Sequence, residues 1–234
     1  MNNSVYNWLS FWDRPHSIYV NERHLDVHYR DVAGGIIALL PQQPVRVLDY
    51  GCGEAVHADL VAPRTAELVL CDGAPTVQAN LAKRFSGHPR IKVLSPHEVE
   101  RLPAQSVDIV VANSLVQYIA PRELDDLLAI WTRLLAEGGS VILADVVPPG
   151  VGPSSDAMAL LKYAYKRGFV FAAILGLLKT AVSPYRRVRR KLGITRYSEP
   201  EFLRQLAKNG FTAERLPRNI EHNPARMSFR AFRT

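Results

Sequence analysis

Cysteine is almost absent from this sequence. Cys52 and Cys71 are the two in 234 residues. That is too few for a disulfide framework, and neither stands at metal-ligand spacing from another Cys or a His. No other His, Asp or Glu cluster has ligand spacing, so the sequence implies no metal. No run of 18 apolar residues occurs, so no membrane span is expected. Residues 1–6 carry no positive region followed by an apolar stretch, so no secretory signal is expected either. These shortages point to a reducing, cytoplasmic compartment. Acidic residues are scarce in one region: of the 29 Lys/Arg, 13 fall in residues 184–234, against 4 of the 22 Asp/Glu. The local balance of +9 exceeds the +7 of the whole chain, so the remainder is slightly acidic. One basic patch is implied, and nucleic acid is not the expected general partner. An apolar content of 47% can build a real core, and the length suits one domain with an insertion.

What is present centres on residues 45–55. Val45, Val47 and Leu48 form a short apolar, β-branched run, as in a buried parallel strand. Asp49 ends it. Gly51 and Gly53 then form a turn that lets backbone approach a ligand, and an apolar-periodic stretch from Ala55 to Val61 reads as a helix. Strand, glycine turn and helix are the nucleotide-binding opening of an open α/β sheet. A second strand over residues 67–71 ends in Asp72, 19 residues past Gly53, where an acid can reach ribose hydroxyls.

Asp49-Tyr50-Gly51-Cys52-Gly53-Glu54-Ala55 resembles the first motif of class I S-adenosylmethionine-dependent methyltransferases, with Ala55 in place of the last glycine. Leu70-Cys71-Asp72-Gly73 resembles their second-strand motif. Residues 107–114 resemble the fourth strand, and 134–143 the helix, Gly-Gly turn and fifth strand. The resemblance covers residues 44–147 well and 198–234 more loosely. It implies a Rossmann-like, seven-stranded α/β sheet, mostly parallel with an antiparallel last strand, and S-adenosyl-L-methionine as cofactor. Its implied cofactor contacts are Asp49, Gly51, Cys52, Gly53, Asp72, Gly73, Asn113 and Ser114. An N-terminal segment that covers the methionine end is also implied, with Tyr19 and Tyr29 as its candidates. The residue facing the adenine amino group is His97 if residues are counted from the third strand, and Glu98, with Val99 beside it, if they are counted from Leu102-Pro103. A carboxylate accepts from an exocyclic amine, which favours Glu98.

Along the chain, residues 1–43 should form a helical cap, with Asn21 capping a helix that Pro41 and Pro44 end. Leu25, Tyr29, Val32, Ile36 and Leu40 would share its buried stripe. The core spans 44–149. Its fourth strand ends at Asn113, Ser114, Gln117 and Tyr118, near the switch point where ligands bind. Asn113-Ser114-Leu115 is not the motif used on nucleobase or glutamine amines, which counts against those substrates. Pro121 opens a helix that the Gly138-Gly139 pair should end. Residues 150–196 are an insertion, expected as a helical lid: a helix from Ser154 to Arg167, an apolar stretch from Phe169 to Leu178, then Arg186–Lys191 with five basic residues in six. A helix and hairpin over 197–234 close the fold. Their connection puts His222 at the rim of the site, for substrate contact or proton removal.

The expected activity is methyl transfer to O or N of a small, at least partly apolar acceptor, with His222, Asn113 and Tyr118 nearest the chemistry. An apolar helix followed by a basic cluster suits peripheral membrane contact through residues 169–191. Three other readings remain open from the residues alone. They are a nicotinamide dehydrogenase, an RNA methyltransferase using the 184–196 patch, and a non-catalytic cofactor-binding subunit.

Overall fold

A computed structural model describes residues 3–13, 19–181 and 193–234. The basic run Arg186–Lys191 lies outside the described residues. Two N-terminal helices, α1 (Asn3–Trp12) and α2 (Glu22–Leu39), precede the sheet. As expected, Asn21 caps α2: its Oδ1 accepts from the His24 backbone N–H at 2.8 Å. The buried stripe of α2 holds Tyr29, Val32 and Ile36, but His24 takes the inward place expected for Leu25. The sheet strands are β1 (Val45–Tyr50), β2 (Thr65–Cys71), β3 (Ile91–Leu94), β4 (Val107–Asn113), β5 (Leu135–Val146), β6 (Phe211–Arg215) and β7 (Met227–Arg233). They are ordered β3-β2-β1-β4-β5-β7-β6. β7 pairs antiparallel with both β5 and β6, so it alone runs against the rest. The switch between β1 and β4 leaves a crevice beyond their carboxyl ends, the place where open α/β sheets bind ligands.

Between the strands lie α3 (Ala58–Val61), α4 (Pro75–Arg84), α5 (Pro96–Glu100) and α6 (Pro121–Leu134). Two sequence expectations change here. The helix expected from Ala55 shrinks to the single turn α3, because Gly53 and Ala55 take positive φ (58° and 38°), which a right-handed helix cannot contain. Gly138-Gly139 does not end α6. The chain passes directly into β5 at Leu135, and Gly138, at φ 72°, sits within the strand, where pairing with β4 is irregular. The insertion forms two helices, α7 (Pro153–Arg167) and α8 (Val170–Ala181), hinged at Gly168, whose φ of 76° makes the left-handed helix stop that glycine favours. Capped by Ser198 and Glu201, α9 (Glu199–Lys208) follows.

Each face of the sheet carries its own apolar layer. α6 and α9 cover one face, with Leu124, Leu128, Trp131, Phe202 and Phe229 fully buried. α2, α3 and α4 cover the other, with Ile36, Val61 and Leu81. Trp131 packs edge-on against Tyr50, their ring centroids 5.5 Å apart. Trp131→Ala empties the centre of the first layer and should lower unfolding stability by ~3–5 kcal/mol. Denaturant titration checks it; a loss under about 1 kcal/mol would show that α6 does not hold this face.

Candidate active site

A cavity of about 1060 Å³ occupies the crevice. One end is the glycine turn. The Gly51 and Cys52 amides donate to the Cys71 carbonyl at 2.7 and 3.1 Å, tying the turn to β2. Asp72 accepts from the Gly53 amide at 2.9 Å through Oδ2 and from the Ala74 amide at 2.9 Å through Oδ1. Each carboxylate oxygen keeps a further acceptor position. The Tyr29 hydroxyl accepts from the Glu54 amide at 2.8 Å and receives the Tyr19 hydroxyl at 3.1 Å, so both tyrosines shape the loop that follows Gly53. A Cβ on Gly53 would lie 2.6 Å from the Tyr29 oxygen, which leaves no room for any other residue.

Asp49 is buried beside Asp72. Burial first, and the Asp72 charge second, push its carboxyl up to about 7. Asp72 is also raised, by burial foremost, against the pull of its amide partners. Among the described residues no cation pairs with either acid. Two buried carboxylates without a counter-charge fit a ligand with a cationic end and vicinal hydroxyls.

The middle of the cavity lies at the ends of β4 and β5. Ser114 and Asp145 both take left-handed φ (55° and 62°), strain of the kind that collects at functional sites. Ser114 Oγ donates to Asp145 Oδ2 at 2.8 Å. Asp145 also pairs with Arg226, which reaches Asp156 of α7 at 2.9 Å. Tyr118 packs against Trp8, centroids 4.6 Å apart, and against Trp12, so α1 roofs this half.

The far end, under the lid, holds His28, Glu221 and His222. Asn113 Nδ2 donates to Glu221 Oε1 at 2.9 Å. His28 Nδ1 and His222 Nδ1 stand 3.4 and 3.7 Å from the other oxygen, Oε2. Burial would raise the Glu221 carboxyl, but the neighbouring His28 and His222 and the Asn113 hydrogen bond outweigh it and hold it below the ordinary carboxylate range. His222 stacks on Tyr163 of α7 at 4.8 Å. His24 is buried against Phe169 and pushed down to about 4, by burial first and then by its histidine neighbours, so it is neutral near pH 7.

The structure thus brings Asp49, Gly51, Cys52, Gly53, Asp72, Gly73, Asn113, Ser114, Tyr118, His222, Tyr19 and Tyr29 to one cavity. Glu98 and Val99 do not reach it. Glu98 is spent as the cap of α5, accepting from the Ser95 amide at 2.8 Å and the Ser95 hydroxyl at 2.7 Å, and Val99 is fully buried in the core. Within α5, Pro96 and Glu100 border the cavity instead. Sequence reasoning missed Glu221, His28, Arg226 and Asp145 as site residues. Glu221 is signalled only by its place next to His222, and His28 only by its position beside Tyr29 on α2. His57, inside the supposed helix, bonds Asp26 at 2.7 Å and ties the turn to α2.

Comparisons with known proteins agree with this geometry. A family profile described as a methyltransferase domain matches residues 47–139. The chain is 32% identical over 126 residues to a trans-aconitate 2-methyltransferase of Streptomyces avermitilis, covering 51% of this chain and 46% of that protein. It is 28% identical over 121 residues to a carboxy-S-adenosyl-L-methionine synthase of Dichelobacter nodosus, covering 50% of this chain and 51% of that protein. The chain therefore spans about half the length of the curated relatives it matches. Among solved structures, a magnesium protoporphyrin IX methyltransferase from Synechocystis with bound SAH superposes with a TM-score of 0.59 at 15% identity, over 98% of this chain and 94% of that one. The DhpI–SAH complex gives 0.62 at 13%, over 98% and 96%. Residues 47–139 thus match a methyltransferase-domain profile, and the sheet they build has the fold of the methyltransferase structures it superposes on.

Proposed function

We propose that the chain transfers a methyl group from S-adenosylmethionine to an oxygen or nitrogen of a small, partly apolar molecule. The observation that carries this reading is the single cavity joining the Asp49–Asp72 end to the His28–Glu221–His222 end. Its volume of about 1060 Å³ stands at the upper end of ligand pockets, and its two chemically different ends suit a cofactor and an acceptor held together. The cofactor supplies a methyl group on a positively charged sulfur that departs as a neutral thioether. Asp72 has acceptor capacity for ribose hydroxyls, Asp49 for the cationic methionine end, and the glycine turn allows close backbone approach. Displacement needs the acceptor in line with the methyl and water kept out; α1 and the lid cover the site. His222, at the rim of the site, is placed to take the proton the acceptor loses, and the Glu221 carboxylate beside it stabilises the imidazolium that forms. Lid residues Ala157, Leu160 and Leu177 line the acceptor half, which favours an apolar body on the substrate.

A second observation supports a lipid-facing lid. No described helix is long and apolar enough to cross a membrane. Yet α8 exposes Phe171 (84%), Ile174 (45%), Leu175 (57%) and Leu178 (66%), at i, i+3, i+4 and i+7 on one face. Exposed Lys162, Lys166 and Lys179 stand on the same two lid helices, and the sequence continues into Arg186–Lys191. An anionic bilayer matches that apolar stripe with its cationic surroundings.

The ribose contact is tested by Asp72→Ala, which should weaken cofactor binding by ~1.5–3 kcal/mol in calorimetry; unchanged affinity would remove Asp72 from the site.

Asp49 generates a pH dependence. Its folded pKa lies above the unfolded value of about 3.9, so the folded chain keeps a proton that the unfolded chain releases. Stability from this group is therefore lost as pH rises from about 4 to about 7. A cationic ligand favours the ionised form, so S-adenosylmethionine should bind more tightly as pH rises toward 7 and release a proton on binding. Calorimetry at pH 6 in buffers of different ionisation heat reads that proton, and Asp49→Asn should abolish it. Wild-type affinity that is flat with pH would overturn the assignment.

Liposome flotation tests the lid. The wild-type chain should float with anionic and not with neutral vesicles at low salt. Replacing Phe171, Leu175 and Leu178 with Ser, or Arg186, Arg187, Arg189 and Arg190 with Gln, should reduce flotation, each cation contributing ~1 kcal/mol. If the wild type stays at the bottom, the exposed stripe has another role.

A further inference from the structure

We propose that His28, Glu221 and His222 form a binding site for a divalent first-row transition cation such as Zn²⁺, at the acceptor end of the cavity. His28 Nδ1 and His222 Nδ1 converge on the same oxygen, Glu221 Oε2, at 3.4 and 3.7 Å. Nitrogen–oxygen hydrogen bonds close at 2.7–3.2 Å, so neither contact is one. His222 Nδ1 is buried and has no hydrogen-bond partner among the described residues. Zinc sits about 2.0–2.2 Å from imidazole nitrogens and carboxylate oxygens. Two tetrahedral ligands at those lengths lie roughly 3.3–3.6 Å apart. The two edges therefore suit a shared cation better than a shared proton. All three ligand atoms lie within 4.8 Å of one another, so turning an imidazole closes the remaining edge.

The surroundings support the same assignment. Metal-bound carboxylates and imidazoles are oriented by outer partners. Here Asn113 Nδ2 fixes the second Glu221 oxygen at 2.9 Å, and Tyr163 fixes the His222 ring by stacking. Tyr163 is itself anchored, donating to Asp31 of α2 at 2.9 Å. Two imidazoles and one carboxylate are the donor set of open catalytic sites, which keep a position for water or substrate. All three residues line the cavity, so that position faces the ligand space. The sequence hides the site because His28 and Glu221 are 193 residues apart on α2 and the β6–β7 connection.

The consequence for catalysis rests on the methyl-transfer reading; cation binding does not. An acceptor hydroxyl placed on the cation would release its proton to water and present oxygen as the nucleophile, since bound cations acidify such groups strongly. The acceptor is then one with a hydroxyl or similar hard donor on its apolar body.

The test uses the full chain, stripped with chelator and titrated with Co²⁺. One Co²⁺ per chain should bind with visible d–d absorption and be displaced by Zn²⁺. Glu221→Gln and His222→Ala should each weaken Co²⁺ by at least about 100-fold, while His88→Ala, outside the cavity, should not. His222 is partly exposed, so His222→Ala keeps the test informative if the Glu221 variant unfolds; thermal melting reports which variants are folded. S-adenosylhomocysteine affinity is measured on the same samples. A wild-type chain that binds S-adenosylhomocysteine but not Co²⁺, or Co²⁺ binding that survives in folded His222→Ala, overturns the metal site and leaves the methyl-transfer reading standing. A chain that binds one Co²⁺ through these residues but no S-adenosylhomocysteine supports the site and counts against that reading.

Discussion

The burial of two carboxylates, Asp49 and Asp72, governs the cofactor half of this molecule. Asp49 and Asp72 end neighbouring parallel strands, so the sheet register that pairs Asp49 with Leu70 and Tyr50 with Cys71 forces them together. Two ordered backbone amides, those of Gly53 and Ala74, hold Asp72. Among the described residues nothing comparable offsets Asp49, so burial first, and the Asp72 charge second, hold its proton toward neutral pH. The positive φ values of Gly51 and Gly53 follow from the same demand, since they aim the turn's amides back at β2 instead of into a helix. Fold and ligand preference are thus one constraint: among the described residues, the Asp49–Asp72 end of the crevice holds no paired cation.

The acceptor half is held by a different device. Arg226 bridges Asp145, at the end of β5, and Asp156, in the first turn of α7; Asn223 adds a 3.0 Å bond to Asp156. On the other side, Asp31 of α2 takes Tyr163 and Arg167. The lid is therefore clasped from two directions by charged groups. Gly176 lets α8 press on the segment before α2: a Cβ there would stand 2.1 Å from Val20, an approach open only to glycine.

Much of this was legible in the sequence, and the legible parts share a cause. The strand that ends just before Asp72, the Asn21 cap and the end of the first lid helix at Arg167 are all dictated within a few residues of chain, so local pattern finds them. What escaped depends on distant partners. The helix after the glycine turn is shorter than its apolar periodicity suggested, because Tyr29, 25 residues away, holds the loop in another conformation. His24 displaces Leu25 from the inner stripe because Phe169 of the lid stacks on its ring. Glu98 has the chemistry of an adenine contact, yet the same carboxylate is the better cap for its own short helix. The His28–Glu221–His222 cluster has no spacing signal, since it exists only once the last hairpin folds back over α2.

The two roofs of the cavity belong to separate pieces of chain. α1 closes the cofactor side: Leu9 rests so near Gly73 that a Cβ there would lie 2.6 Å from it, and Asp13 just beyond α1 accepts from the Thr76 amide of α4 at 2.7 Å. The lid closes the acceptor side through its own clasps on β5 and α2. The α1 anchors at Gly73 and Thr76 are different residues from the lid's anchors at Arg226, Asn223 and Asp31. On the methyl-transfer reading proposed above, two separately anchored roofs give the spent cofactor and the methylated acceptor different openings to leave by.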